Sequence, residues 1–144
     1  MKAAPTPYDL IKRWGISVPF AARLHQVLEH FRWETGLEIE VISGFRTIEE
    51  QNQLTRDGRP TALSPYLSTH TSCPATGADI RIGGPLYHVV PAVKATFGRL
   101  AVFYGLRWGG GSAIDSATGI PSDWNHVDMG PRNDACAQQA REQL

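Results

Sequence analysis

Long apolar runs are missing from this chain. No stretch approaches the roughly 20 residues that span a bilayer, and Met1-Lys2-Ala3-Ala4-Pro5-Thr6-Pro7-Tyr8 has no apolar core of signal-peptide length. A protein that is cytoplasmic as synthesised, without a signal peptide or a membrane partner, is the expectation. An excess of either charge is also missing. Fourteen basic and 14 acidic side chains cancel, no run of five or more like charges occurs, and the electrostatic footprint of a nucleic-acid binder is therefore excluded. Cysteine is scarce: Cys73 and Cys136 are the whole complement. Without a secretory signal they are expected as free thiols rather than a structural disulfide. Nothing repeats internally and no low-complexity tract is present, so partners must be recognised by a local site. At 144 residues the chain is large enough for a core yet too short for a catalytic domain plus an independent binding module, and residues 1–144 are expected as one monomeric domain.

What is present is a regular succession of elements. Tyr8 to Trp14 suits a short helix ended by Gly15, and Val18-Pro19 opens a longer one whose Ala22, Leu24, Val27, Leu28 and Phe31 fall at helical spacing. His25 and His30 on this helix are five apart, off the spacing that puts two ligands on one face, and read as core-edge or solvated. Leu37 to Ile42 alternates as a strand, Ser43-Gly44-Phe45-Arg46 follows, and Thr47 with Glu50 forms a capping-box pattern for a helix from Ile48 to about Arg56. A loop runs from Arg59 to Leu67. Ala78-Asp79-Ile80-Arg81-Ile82 reads as a half-buried strand that turns Asp79 away from the core. Tyr87 to Tyr104 holds a helix with Pro91 in its first turn, preceded by an exposed His88. Gly105 to Trp108 is a short strand and Gly109-Gly110-Gly111 a turn. A last strand spans Asp123 to Met129, with His126 and Asp128 on one face, and Asp134 to Gln143 forms a polar surface helix.

The chemistry concentrates around Ser68-Thr69-His70-Thr71-Ser72-Cys73-Pro74-Ala75-Thr76-Gly77-Ala78-Asp79. His70 and Asp79 are separated by eight residues of small-residue loop, and His126 is delivered late by a strand that faces Asp79. Zinc in hydrolases takes three protein ligands and leaves a further position for water, whose pKa falls to about 7; His70, Asp79 and His126 match that count. A nearby carboxylate must accept the water's proton and return it to the leaving amine, for which Asp123 is the candidate. A fixed cation must stabilise the developing oxyanion, and Arg46, at a strand-to-helix junction, is either that group or a surface arginine paired with Glu49 or Glu50. Ser68, Gln51, Tyr66 and Trp124 are candidates for the substrate groove, with ordinary surface, loop or packing roles as the alternative. Cys73, in a His-x-x-Cys spacing, offers a second possibility: a closed structural zinc site of His70, Cys73, His126 and Cys136 with no catalysis.

Ser43-Gly44-Phe45-Arg46, Ser68-x-His70 ending in Gly77-Ala78-Asp79, Trp108-Gly109-Gly110, and Asp123-x-x-His126-Val127-Asp128 together resemble the zinc D-alanyl-D-alanine carboxypeptidase family. That family includes D-Ala-D-Ala dipeptidases and phage L-alanyl-D-glutamate endopeptidases, and shares its fold with the hedgehog signalling domain. The matching order covers about residues 18 to 130. The resemblance implies an α+β fold with a central antiparallel sheet and flanking helices, peptidoglycan stem peptides as substrate, and Zn2+ held by His70, Asp79 and His126. It further implies Asp123 as base and Arg46 as clamp on the substrate carbonyl, and points more to the endolysin-type endopeptidases than to the dipeptidases. Without a signal peptide, such an enzyme is expected to reach the wall by phage- or pore-mediated release. A non-catalytic zinc-containing binding domain of the same fold is the alternative. The chain departs from the family's Ser-x-His-x-x-Gly-x-Ala-x-Asp pattern, because its His70-to-Asp79 loop is two residues longer and Cys73 stands at the glycine position. Cys73 to Thr76 is therefore expected to bulge outward.

Overall fold

The structure, a computed structural model, describes residues 3–59 and 61–144. Met1 and Lys2, part of the stretch read as lacking a signal peptide, and Pro60, inside the loop after Arg59, lie outside the described residues. The described residues form five helices and a four-stranded sheet: α1 (Pro7–Trp14), α2 (Val18–Thr35), β1 (Ile39–Ser43), α3 (Ile48–Arg56), β2 (Gly77–Ile82), α4 (Pro91–Phe103), β3 (Arg107–Trp108), β4 (His126–Asp128) and α5 (Ala135–Glu142). The sheet order is β1-β2-β4-β3, and every pairing is antiparallel. This is the α+β fold expected from the sequence. Among the described residues no helix is long and apolar enough to cross a membrane.

Local chemistry sets the helix ends. Thr6 with Asp9, and Thr47 with Glu50, form reciprocal capping boxes at the starts of α1 and α3, while the Ser17 hydroxyl accepts from the Phe20 N–H at the start of α2. Each satisfies backbone donors that would otherwise lack partners, and losing one such cap costs about 1 kcal/mol. One face of α2 buries Phe20, Leu24, Val27, Leu28 and Phe31. The sheet answers with Ile39, Val41, Ala78, Ile80, Ile82 and Val127, all buried. From the other side Phe97 of α4 meets Phe31 edge-on at 6.3 Å between ring centres. Large side chains of this kind contribute about 1.5–3 kcal/mol each on burial, so one face of the sheet is committed to the core. The other face is free to carry polar chemistry.

Two elements differ from expectation. The last strand is only His126–Asp128, whereas Asp123 to Asn125 form a turn. The reason is local hydrogen bonding: the His126 N–H donates to the Asp123 carbonyl at 3.0 Å, and the Ser112 hydroxyl accepts from the Asp123 N–H at 3.0 Å, which curls the chain so that of this turn only Asn125 reaches β2, its carbonyl accepting from the Ile80 N–H at 2.9 Å. The long loop also does not bulge over its whole length. Cys73 and Pro74 are exposed, but Ala75 is fully buried. Its N–H and carbonyl need partners away from water, and they find the Gly15 carbonyl at 2.9 Å and the Ser17 N–H at 2.8 Å. The loop is thus stitched to the α1–α2 junction. Helix α5 is less superficial than its composition suggests, because Ala137 and Ala140 are buried.

Candidate metal centre and substrate groove

The register of the sheet builds the site. Asp79 on β2 lies directly opposite His126 on β4, on the face away from the core, because their neighbours Ala78, Ile80 and Val127 are buried on the other side. Directly opposed residues bring their Cβ atoms within about 5 Å. His70 arrives from the loop. Its N–H is accepted by the Ser68 hydroxyl, its carbonyl accepts from the Arg46 N–H, and its ring is 4% exposed. One donor atom each from His70, Asp79 and His126 falls within 4.8 Å of the others.

Hydrogen bonds decide which ring nitrogen faces the centre. The Nδ1 of His70 lies 2.7 Å from the Gly44 carbonyl, an acceptor only, so Nδ1 carries the proton and Nε2 presents its lone pair 3.4 Å from Asp79 Oδ1. For His126, Nε2 lies 2.7 Å from Asp128 Oδ2, which leaves Nδ1 directed to Asp79 Oδ1 at 3.0 Å. Asp128 is itself fully buried and receives two parallel hydrogen bonds from Arg107, each 2.9 Å. Oxygen acceptors behind both imidazoles are the arrangement that orients histidine ligands and raises their basicity. Three electron-pair donors crowded onto one point also require a positive charge between them. A divalent cation fits that requirement with this nitrogen and oxygen donor set.

The electrostatics agree. Burial disfavours the ionised form of Asp79, but hydrogen bonds and charge from His126 and His70 outweigh it and hold its carboxyl well below the usual carboxylate range. Burial likewise opposes a charged His126, yet its bonds to Asp128 and Asp79 push its pKa up to about 9. For Asp128, burial is again overcome by His126 and Arg107, and the carboxyl sits at about 2. A proton on His126 thus serves the role that a metal would take over, and metal and proton compete for the ring.

Around this cluster lies a groove of about 720 Å³. Arg46, Gln51, Ser68 and Asp123 line it together with the three candidate ligands. Arg46 does not pair with Glu49 or Glu50. Its guanidinium reaches Asp79 Oδ2 at 3.0 Å, Gln51 Oε1 at 2.8 Å and the Ser43 hydroxyl at 3.3 Å. Asp123 occupies the turn before β4, and burial raises its pKa above the ordinary 3.8 against the pull of His126. Two of the expected groove residues lie elsewhere. Tyr66, in a 3-10 turn over Pro65–Leu67, does not line the groove. Nor does Trp124, which packs against the core with Lys94 4.9 Å over its ring, its carbonyl accepting from Trp108 Nε1. Trp124 is drawn off by these partners, whereas the Tyr66 side chain is exposed outside the groove. Cys73 and Cys136 are free and exposed, and neither joins the donor cluster among the described residues; the four-ligand structural zinc site is not formed.

Four supporting residues escape a linear reading. Asp128 and Arg107 form the ion pair behind His126. The Asp128 signal was its place two residues after His126 on the same strand face. Gly77 is needed because a Cβ there would lie 2.0 Å from Thr69 Oγ1 and 3.0 Å from His126 Cε1. Arg132 is 7% exposed and donates to the Ser68 carbonyl at 3.3 Å and the Thr71 hydroxyl at 2.7 Å, while Asp134 accepts from it twice at 2.7 Å. It holds the loop on both sides of His70, and nothing in the sequence marks it.

No family profile matches the chain, and no curated protein matches it by sequence. Solved structures do match. The L-Ala D-Glu endopeptidase ChiX of Serratia marcescens superposes with a TM-score of 0.59 at 13% identity, covering 87% of this chain and 86% of that one. The vancomycin-resistance D,D-pentapeptidase VanY, in complex with Zn(II), gives 0.58 at 16% identity over 88% and 76% of the two chains. The LD-carboxypeptidase LdcB gives 0.50 at 17%, over 90% and 71%. At such identities the likeness is one of fold. The chain adopts the fold of the D-alanyl-D-alanine carboxypeptidase type of peptidoglycan peptidase, the family its short motifs resemble.

Proposed function

We propose that the protein is a zinc-dependent peptidase that hydrolyses a stem-peptide bond in peptidoglycan, as an L-alanyl-D-glutamate endopeptidase or a D-Ala-D-Ala carboxypeptidase. The observation that carries this reading is the convergence of His70, Asp79 and His126 on one point, with the outward nitrogen of each imidazole committed to an oxygen. His70 Nε2, His126 Nδ1 and Asp79 would hold the cation. When bound, zinc supplies the Lewis acidity that acidifies water and polarises a carbonyl.

The remaining work falls to the chain's own side chains. Asp123 accepts the proton of the attacking water and returns it to the nitrogen of the leaving amine. Its raised pKa suits that exchange, since a base closer to the operating pH both takes and gives a proton. Arg46 turns toward the carbonyl oxygen. Of the five N–H donors on a guanidinium, three are engaged by Asp79, Gln51 and Ser43, which fixes the plane and leaves two for the oxygen as it gains charge. A donor fixed in advance costs no reorganisation at the moment of reaction. Gln51 and Ser68 border the same groove and would orient the peptide.

The test is digestion of purified sacculi by the zinc-loaded protein, with mass spectrometric identification of the new amino and carboxyl ends. New ends at a single stem-peptide bond are expected. Intact sacculi and intact synthetic stem peptides in the presence of stoichiometric bound zinc would overturn the proposal in favour of a zinc-containing binding domain.

A further inference from the structure

The cationic side chains of the groove are nearly all spoken for. Arg46 is paired with Asp79, Arg107 with Asp128, and both imidazoles are hydrogen-bonded. Arg59 is the exception: it lines the groove, yet its guanidinium makes no hydrogen bond, ion pair or ring contact with any described residue. Its side chain is exposed, but the backbone that carries it is fixed. At the end of α3 the Gly58 N–H donates to the Thr55 carbonyl at 3.0 Å and the Arg59 N–H reaches back to the Leu54 carbonyl at 3.0 Å, with Gly58 in the left-handed region at φ 74°. This is the paired 5→2 and 6→1 pattern that closes a helix through glycine. It turns the chain back over the helix end and delivers Arg59 to the side of the groove formed by Leu54, Thr61 and Ala62. Beyond it, the Thr55 and Thr61 hydroxyls meet at 2.9 Å. The turn is therefore pinned on both sides of an unpaired cation.

A guanidinium that borders the groove without a partner is open to a carboxylate, since its planar fork matches two carboxylate oxygens. We infer that Arg59 is a specificity-determining residue that pairs with a free carboxylate of the bound stem peptide. The inference rests on the peptidase reading above and adds the substrate's charge to it. Lysine-type stem peptides carry such groups in two places, the α-carboxylate of a γ-linked glutamyl residue and the C-terminal carboxylate. The chemistry recognised is the same, and the position is left for experiment to distinguish.

Three synthetic pentapeptide stems test this with the zinc-loaded protein: one with all carboxylates free, one amidated at the glutamyl α-carboxylate, and one amidated at the C-terminus. The wild type should cut the free peptide with kcat/KM roughly tenfold above one of the two amides, the scale of a single charge-assisted hydrogen bond. The amide that suffers identifies the carboxylate. Arg59→Ala should remove that preference by losing activity on the free peptide alone, and Arg59→Lys should restore part of it. A wild type that cuts none of the three overturns the peptidase reading and the inference with it. A wild type that cuts all three equally, or a preference that survives in Arg59→Ala, overturns the inference alone.

Discussion

In the proposed mechanism Asp123 and His126, three positions apart, would divide the work of proton transfer and metal ligation, and their surroundings differ accordingly. His126 sits between two carboxylates, while Asp123 is partly desolvated and its pKa is raised. Replacing Asp123 with asparagine is expected to lower kcat about 100- to 10,000-fold, the usual worth of a positioned acid–base group, with zinc content unchanged by elemental analysis. The sign of the pH effect follows from the shift. Asp123 must be ionised to accept a proton, and its pKa is raised, so wild-type activity should fall on acidification at a pH above the ordinary carboxylate value, and the residual activity of Asp123→Asn should lack that limb. Asp128→Asn tests a different property. It keeps the shape behind His126 but removes the charge shared with Arg107, and zinc affinity measured against a chelator should weaken about 10- to 100-fold. Unchanged affinity would mean that the ion pair supports folding only.

At the level of elements, the C-terminal segment acts on the site through Arg132. Its two bonds to Ser68 and Thr71 brace the loop that presents His70, and its bidentate pair with Asp134 anchors that brace at the start of α5. Arg132→Ala would leave the Ser68 carbonyl and the Thr71 hydroxyl without this donor, and about 1–3 kcal/mol is the usual cost of such a loss. Amide exchange around residues 68–71 should accelerate, and zinc affinity should drop more than kcat at saturating zinc. If affinity and exchange stay at wild-type values, the brace is incidental. The same pair has a pH signature. Asp134 is held down to about 2, first by its hydrogen bond with Arg132. A carboxyl lowered in the folded state adds stability that is complete above its unfolded pKa and lost as pH falls toward the folded value. The contribution of this pair therefore disappears between about pH 4 and pH 2, the ordinary and the depressed values, and is damped by the half-exposed Asp134 side chain.

For the whole molecule, metal binding at the candidate centre would be linked to folding. The three candidate ligands come from a loop and two strands separated by up to 56 residues, so the unfolded chain cannot offer them together. A ligand that binds only the folded state stabilises it by about 4 kcal/mol at a thousandfold excess over its Kd. Thermal melts with zinc should show a rise in Tm that a chelator reverses and that His126→Ala abolishes. Absence of a zinc-dependent shift in the wild type would remove the metal centre from the account.

Much of this architecture was legible in the chain. Helix α3, from Ile48 to Arg56, was readable from its capping box and the Asp57-Gly58 break, since both signals act within a few residues of the backbone they satisfy. The alternation from Ala78 to Ile82 put Asp79 on the polar face, and the two-residue period did the same for His126 and Asp128. Those are local or periodic properties, and physical chemistry reads them without tertiary contacts. The true length of β4, the inward return of the loop at Ala75, and the withdrawal of Trp124 from the groove depended on partners such as Ser112, Gly15 and Trp108, distant along the chain. The sequence by itself determined which residues carry side chains suited to metal binding and proton transfer, and which face of each strand they occupy. Only the tertiary structure decided which nitrogen of each imidazole turns inward, that Arg46 answers Asp79, and that Arg132 braces His70, because each depends on a hydrogen-bond partner brought near by folding rather than by spacing.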